Sequence, residues 1–361
     1  MTHIGALPWT RSVRWLVLAA AAMALVSCTT ALPGAGPSAP PKLADIGVHD
    51  MRAEFLHAFC ARLPSESDCA DILLRLPGEP AHAATALPAV RHASGPDPAA
   101  SLARRYRLAF VPGLLAGCAG SMVMPFADTA DTLRAAGFDA RILSIEGRGS
   151  TEHNADLIAR QLADAGPDPR PWIVFGYSKG LPDVLETLVR HPEVTRGIAA
   201  IVSYAGAAGG SRLADDAGNW SKALLEHVPL PGCDRGDGSS IQALRRDVRH
   251  AWWQAHHAQL RLPFYSIVAA AKADRVSRPL QSSYAKLSRT DGLNDGQLAA
   301  ADALVPGSRL LGYVNADHWA VAIPLSRQLP VIGALFVDEV PRADLVLAAV
   351  QVISHHAPTT P

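Results

Sequence analysis

The chain has 361 residues, long enough to bury one large core or two ordinary ones, and its 49% hydrophobic and 18% charged content excludes a disordered polymer. Its 33 Lys+Arg offset its 33 Asp+Glu, so it lacks the basic excess of an electrostatic nucleic-acid binder. Five cysteines are too few for a dense disulfide scaffold.

Residues 1–27 read as a targeting segment. Arg11 and Arg14 precede a 12-residue apolar run, Trp15 to Val26, where a membrane span needs about 20 residues. The run ends in Leu25-Val26-Ser27-Cys28, which resembles the lipobox of bacterial lipoproteins. That resemblance implies cleavage before Cys28, lipidation of Cys28, and anchoring to a membrane with the protein facing the periplasm or the cell surface. Thr29, in place of Asp, implies the outer membrane. Loss of two basic residues with the leader would leave a slightly acidic chain. Residues 28–42, rich in Pro, Gly and Ala, read as an extended tether reaching about 40 Å.

Export places Cys60, Cys69, Cys118 and Cys233 in an oxidising compartment, where four cysteines allow three pairings. The expected pairs are Cys60–Cys69 and Cys118–Cys233. Residues 43–104 read as a small helical segment, with helices at Met51–Ala61 and Cys69–Leu76, followed by an irregular Pro/Ala-rich connection. The stretch Ser65-Glu66-Ser67-Asp68 reads as a capping-box-like start for the second helix.

From residue 105 to 361 short apolar strands alternate with amphipathic helices, the pattern of a mostly parallel sheet covered by helices on both faces. Strands are expected at Arg107–Val111, Asp139–Ile145, Trp172–Phe175, Gly197–Tyr204, Phe264–Ala270 and Arg309–Val314. Residues 205–262 exceed what a crossover needs and carry Trp220, Trp252 and Trp253, which suggests a cap over the strand ends.

Gly176-Tyr177-Ser178-Lys179-Gly180 sits between a strand and a helix. A nucleophilic Ser needs a strained strand-to-helix turn, flanked by glycines that remove clashing Cβ atoms, with helix N–H groups facing the developing anion. At these residues the chain resembles the α/β-hydrolase family, over about Arg105 to Val352. The resemblance implies the chain order Ser, acid, His, and oxyanion donors in the backbone N–H groups of Leu114 and Lys179. The loop Pro112-Gly113-Leu114-Leu115 matches the lipase His-Gly-X loop with Pro112 in place of His. His318 follows the last strand and is the expected base. Two acids compete. Asp274 lies beyond the penultimate strand, the ordinary family position, 44 residues before His318. Asp295, 23 residues before it, lies in Asn294-Asp295-Gly296, which resembles the acid loop of bacterial lipases, and the spacing favours it. A short helix is expected at Leu298–Leu304. Lys179 reads as a solvated surface residue.

These residues imply a serine esterase or lipase acting on a small-molecule, lipid or polyester ester through an acyl-enzyme. Acyl transfer, thioester hydrolysis or polyester depolymerisation on the same triad are alternatives. A non-catalytic binding lipoprotein is disfavoured by the intact Ser178, His318 and Asp. No histidine has metal-ligand spacing such as H-E-x-x-H, and no cofactor is expected.

Overall fold

The computed structural model describes residues 43–64, 69, 71–76, 98–118, 123–164, 166, 168–218, 233, 236, 238–329 and 331–357. The leader 1–27, Cys28, the tether 28–42, Ser65–Asp68, Trp220 and the whole connection 77–97 before Pro98 lie outside them.

Among the described residues seven parallel strands form the sheet: β1 (His49–Asp50), β2 (Arg107–Val111), β3 (Ala140–Ile142), β4 (Trp172–Ser178), β5 (Ile198–Gly206), β6 (Phe264–Ala269) and β7 (Arg309–Val314), in the order β1-β7-β6-β5-β4-β2-β3. The central strands are buried almost throughout, as a sheet covered on both faces requires. Their side chains alternate. Leu108, Phe110, Ile173, Phe175, Val202 and Tyr204 face one core with α1 (Arg52–Cys60), α2 (Ala127–Ala135) and the C-terminal helix Arg342–His356. Ala109, Val111, Trp172, Val174 and Ile201 face the other, with α3 (Thr151–Ala163) and α4 (Gly180–Arg190). Then follow α5 (Arg246–His256), α6 (Gln281–Thr290) and α7 (Arg342–His356). Among the described residues no helix is long and apolar enough to cross a membrane.

The helix expected at the start of the N-terminal segment is α1, but the segment also contributes an edge strand. His49 and Asp50 pair with Arg309 and Leu310. Two polar residues give no strand periodicity, so β1 is legible only in the fold. The expected helix Cys69–Leu76 does not run its length. Leu73 bridges Val314 and Leu74 N–H donates to the Tyr313 carbonyl, so the edge of β7 takes the backbone bonds that a helix would have used.

Both expected disulfides, Cys60–Cys69 and Cys118–Cys233, are formed. The first closes the turn after α1. The second ties the loop after β2 to the long connection between β5 and β6. In that connection, Trp252 and Trp253 pack towards α4 and its core, and Trp252 Nε1–H donates to Glu186 Oε2 at 2.6 Å. Residues that approach the strand ends instead are Ala214, Ile241 and Leu244, which cluster with Leu298 and Leu114.

Candidate active site

In a parallel sheet all the strand ends of one polarity lie on one edge, and the loops leaving β2, β4, β6 and β7 meet there. Ser178 ends β4 at φ +52°, a left-handed conformation that costs a non-glycine residue about 1–2 kcal/mol. The flanking glycines are required by close approach. A Cβ on Gly176 would lie 2.7 Å from Leu181 Cα, and one on Gly180 would lie 2.3 Å and 2.4 Å from the carbonyl oxygens of Val111 and Pro112. Gly180→Ala must therefore push the loop after β2 away from α4. The expected result is a loss of about 1–3 kcal/mol in urea unfolding, accompanied by a fall in kcat.

The loop after β2 rests against the elbow. A Cβ on Gly113 would fall 2.7 Å from Ser178 Cβ. Leu115, at φ +63°, donates its N–H to the Gly147 carbonyl at 2.8 Å, and the neighbouring Leu114 N–H meets no acceptor among the described residues.

His318 stands in the loop after β7, and its Nε2 lies 2.9 Å from Ser178 Oγ. Its Nδ1 lies 2.7 Å from Asp295 Oδ2. The remaining oxygen, Asp295 Oδ1, accepts the N–H groups of Gln297 at 2.8 Å and Leu298 at 2.7 Å. The structure thus brings Ser178, His318 and Asp295 together. It leaves Asp274 exposed, on a short turn at Ala273–Arg275. The interval between Asp274 and His318 includes α6, which delivers the chain to Asn294. Asn294 Oδ1 accepts the N–H of Gly296, and Gly296 adopts φ +90°, so Asn-Asp-Gly forms a tight turn that aims Asp295 inward. The helix expected at Leu298–Leu304 is absent. Asn294 and Ala299 form an antiparallel bridge, and the two N–H groups taken by Asp295 Oδ1 hold a turn.

Several residues that hold the histidine loop gave no sequence signal. Tyr177 O–H donates to the His318 carbonyl at 2.6 Å, and its ring stacks on the imidazole with centroids 5.1 Å apart. Asp317 is buried and accepts N–H groups from Ser277, Trp319 and Ala320. Burial raises its pKa against the opposing pull of those bonds. Asn315 N–H and Nδ2 donate to the carbonyls of Ile72 and Asp71, so the N-terminal segment anchors the same loop.

Lys179 corrects an expectation. It is not solvated: its side chain is 1% exposed, and Nζ donates to Asp183 Oδ1 at 2.8 Å and Oδ2 at 3.0 Å. An elbow that turns straight into a helix buries the residue after the nucleophile, and one turn on, Asp183 supplies the counter-charge. Burial raises the Asp183 pKa, opposed mainly by Lys179.

A parallel sheet with a strained Ser at a strand-to-helix elbow, in line with a His and a buried Asp, defines an α/β-hydrolase. No family model matches the sequence, and no curated protein matches it either. Among solved structures, a carboxyl esterase of metagenomic origin is 33% identical, with a TM-score of 0.77 over 89% of this chain and 96% of its own. The chain belongs to the carboxyl esterases of the α/β-hydrolase fold. A Bacillus licheniformis lipase is 21% identical in its mature form (TM-score 0.49, 67% of this chain and 94% of its own). Its propeptide form is 22% identical (TM-score 0.50, 66% and 50%), a likeness of fold alone.

Proposed function

We propose that Ser178, His318 and Asp295 form a catalytic triad that cleaves carboxylic esters through an acyl-enzyme. The observation that carries this reading is the unbroken line from Asp295 Oδ2 through the imidazole to Ser178 Oγ, with steps of 2.7 Å and 2.9 Å. Ser178 Oγ attacks the ester carbon and passes its proton to His318 Nε2. The carbonyl oxygen becomes an anion, held by the N–H groups of Leu114 and Lys179. Collapse breaks the carbon–oxygen bond, and the alcohol leaves with the proton from His318. Water then attacks the acyl carbon, gives its proton to His318, and releases the acid as Ser178 regains its hydrogen. Asp295 holds Nδ1–H towards itself and stabilises the imidazolium.

The apolar cluster of Leu114, Ala214, Ile241, Leu244 and Leu298 borders both the oxyanion loop and the acid loop. It supports an apolar acyl group as substrate, whether in a small ester, a lipid or a polyester, with residues 205–262 acting as a cap. Export as an outer-membrane lipoprotein through Cys28 belongs to the same reading. It rests on the Leu25–Cys28 pattern, and the two disulfides fit an oxidising compartment.

The acyl-enzyme is tested by rapid mixing with a p-nitrophenyl ester. The expected result is a burst of p-nitrophenol close to one equivalent per enzyme before the steady state. A linear release with a full steady-state rate, together with failure to trap acylated Ser178 by acid quench, would contradict the intermediate.

A further inference from the structure

The two oxyanion donors belong to different segments, yet both must reach one oxygen. Each N–H must come to about 2.7–3.1 Å of the same point, so the separation between loop and elbow has to be held fixed. Resting on the triad reading above, we propose that Asn154 and the Lys179–Asp183 pair are positioning residues that tie the Leu114 loop to the Ser178 elbow.

The connection is continuous and buried. Lys179, which carries one donor on its backbone, bonds through Nζ to Asp183. Asp183 Oδ2 accepts Asn154 Nδ2–H at 2.8 Å. Asn154 grips the backbone of Glu146 from both sides: Nδ2 donates to its carbonyl at 3.1 Å, and Oδ1 accepts its N–H at 3.0 Å. The next residue, Gly147, accepts the Leu115 N–H, which fixes the peptide beside the Leu114 donor. Gly147 itself sits hard on that loop, since a Cβ there would lie 2.5 Å from the Ala116 carbonyl oxygen. Lys179, Asp183 and Asn154 are all fully buried. An Asn at this position is the one side chain of its size that can donate to a carboxylate and a carbonyl while accepting an N–H. A buried Lys beside the positive end of α4 also opposes the helix dipole, which suits a bracket held by Asp183 better than a helix cap.

The test compares Asn154→Ala and Gly147→Ala with the wild type, each checked for folding by circular dichroism and thermal unfolding. Three quantities are measured: kcat, KM for a p-nitrophenyl ester, and inhibition by a boronic acid, whose tetrahedral anion on Ser178 needs both donors. For whichever variant folds, kcat is expected to fall about 10- to 100-fold with KM within a few-fold, and boronate affinity to fall in parallel. Rigid-scaffold residues with no positioning role would lower the melting temperature and leave kcat and boronate affinity at wild-type values, and that result overturns the proposal. A fall in kcat with boronate affinity unchanged also overturns it. Failure of the underlying reading looks different: the wild type itself would resist the boronate, or Ser178→Ala would keep its activity.

Discussion

Asp295→Asn is expected to lower kcat by about four orders of magnitude, whereas Asp274→Asn leaves it at the wild-type value. The size follows from the two ends of the carboxylate. Oδ2 faces His318 Nδ1, and Oδ1 accepts two backbone N–H groups. An Asn amide can turn its oxygen to only one of these. With oxygen towards Gln297 and Leu298, its NH2 meets Nδ1 and forces the tautomer that cannot take a proton from Ser178. With oxygen towards the imidazole, the NH2 confronts two N–H donors in a fully buried site. Asp274 is exposed and touches none of this. Steady-state kinetics on a p-nitrophenyl ester, with thermal unfolding as a check on the fold, separate the two variants. A crippled Asp274→Asn beside an active Asp295→Asn would reverse the assignment.

Ser178→Ala is expected to cost roughly 10⁶ in kcat, with a residual rate above the uncatalysed one from the oxyanion donors alone. The fold should be little changed, because the positive φ is imposed by the surrounding structure rather than by the hydroxyl. Gly113, Gly176 and Gly180 leave the elbow no other path between β2 and α4. His318→Ala should cost a similar factor, and the double variant little more, since the residues act as one unit. Additive losses would argue that they act separately.

Much of this site could be read from the sequence because its backbone demands are local. Gly-x-Ser-x-Gly between a strand and a helix reports a strained turn, and Asn-Asp-Gly reports a tight one, so Ser178 and Asp295 carry signals in their own neighbours. The strands from Arg107 to Val314 are apolar and short, and their order fixed which strand ends would meet. What escaped depended on contacts far apart in the chain. The strand His49–Asp50 exists because β7 offers an open edge, and the turn at Leu73 exists because the Tyr313 carbonyl accepts the Leu74 N–H while Asn315 N–H donates to the Ile72 carbonyl. Lys179 looked solvated because lysine usually is; its burial depends on Asp183 and on Asn154, a residue of another helix. Tyr177 and Asp317 hold the histidine loop through backbone bonds that no spacing rule announces.

The proposed reaction turns on Ser178 as its nucleophile. The most direct measurement is labelling of the intact protein with a fluorophosphonate, followed by peptide mass spectrometry. The expected result is a single adduct on Ser178, absent from Ser178→Ala and strongly reduced in His318→Ala. An unlabelled wild type with full esterase activity, or an adduct on another residue that persists in Ser178→Ala, would contradict it.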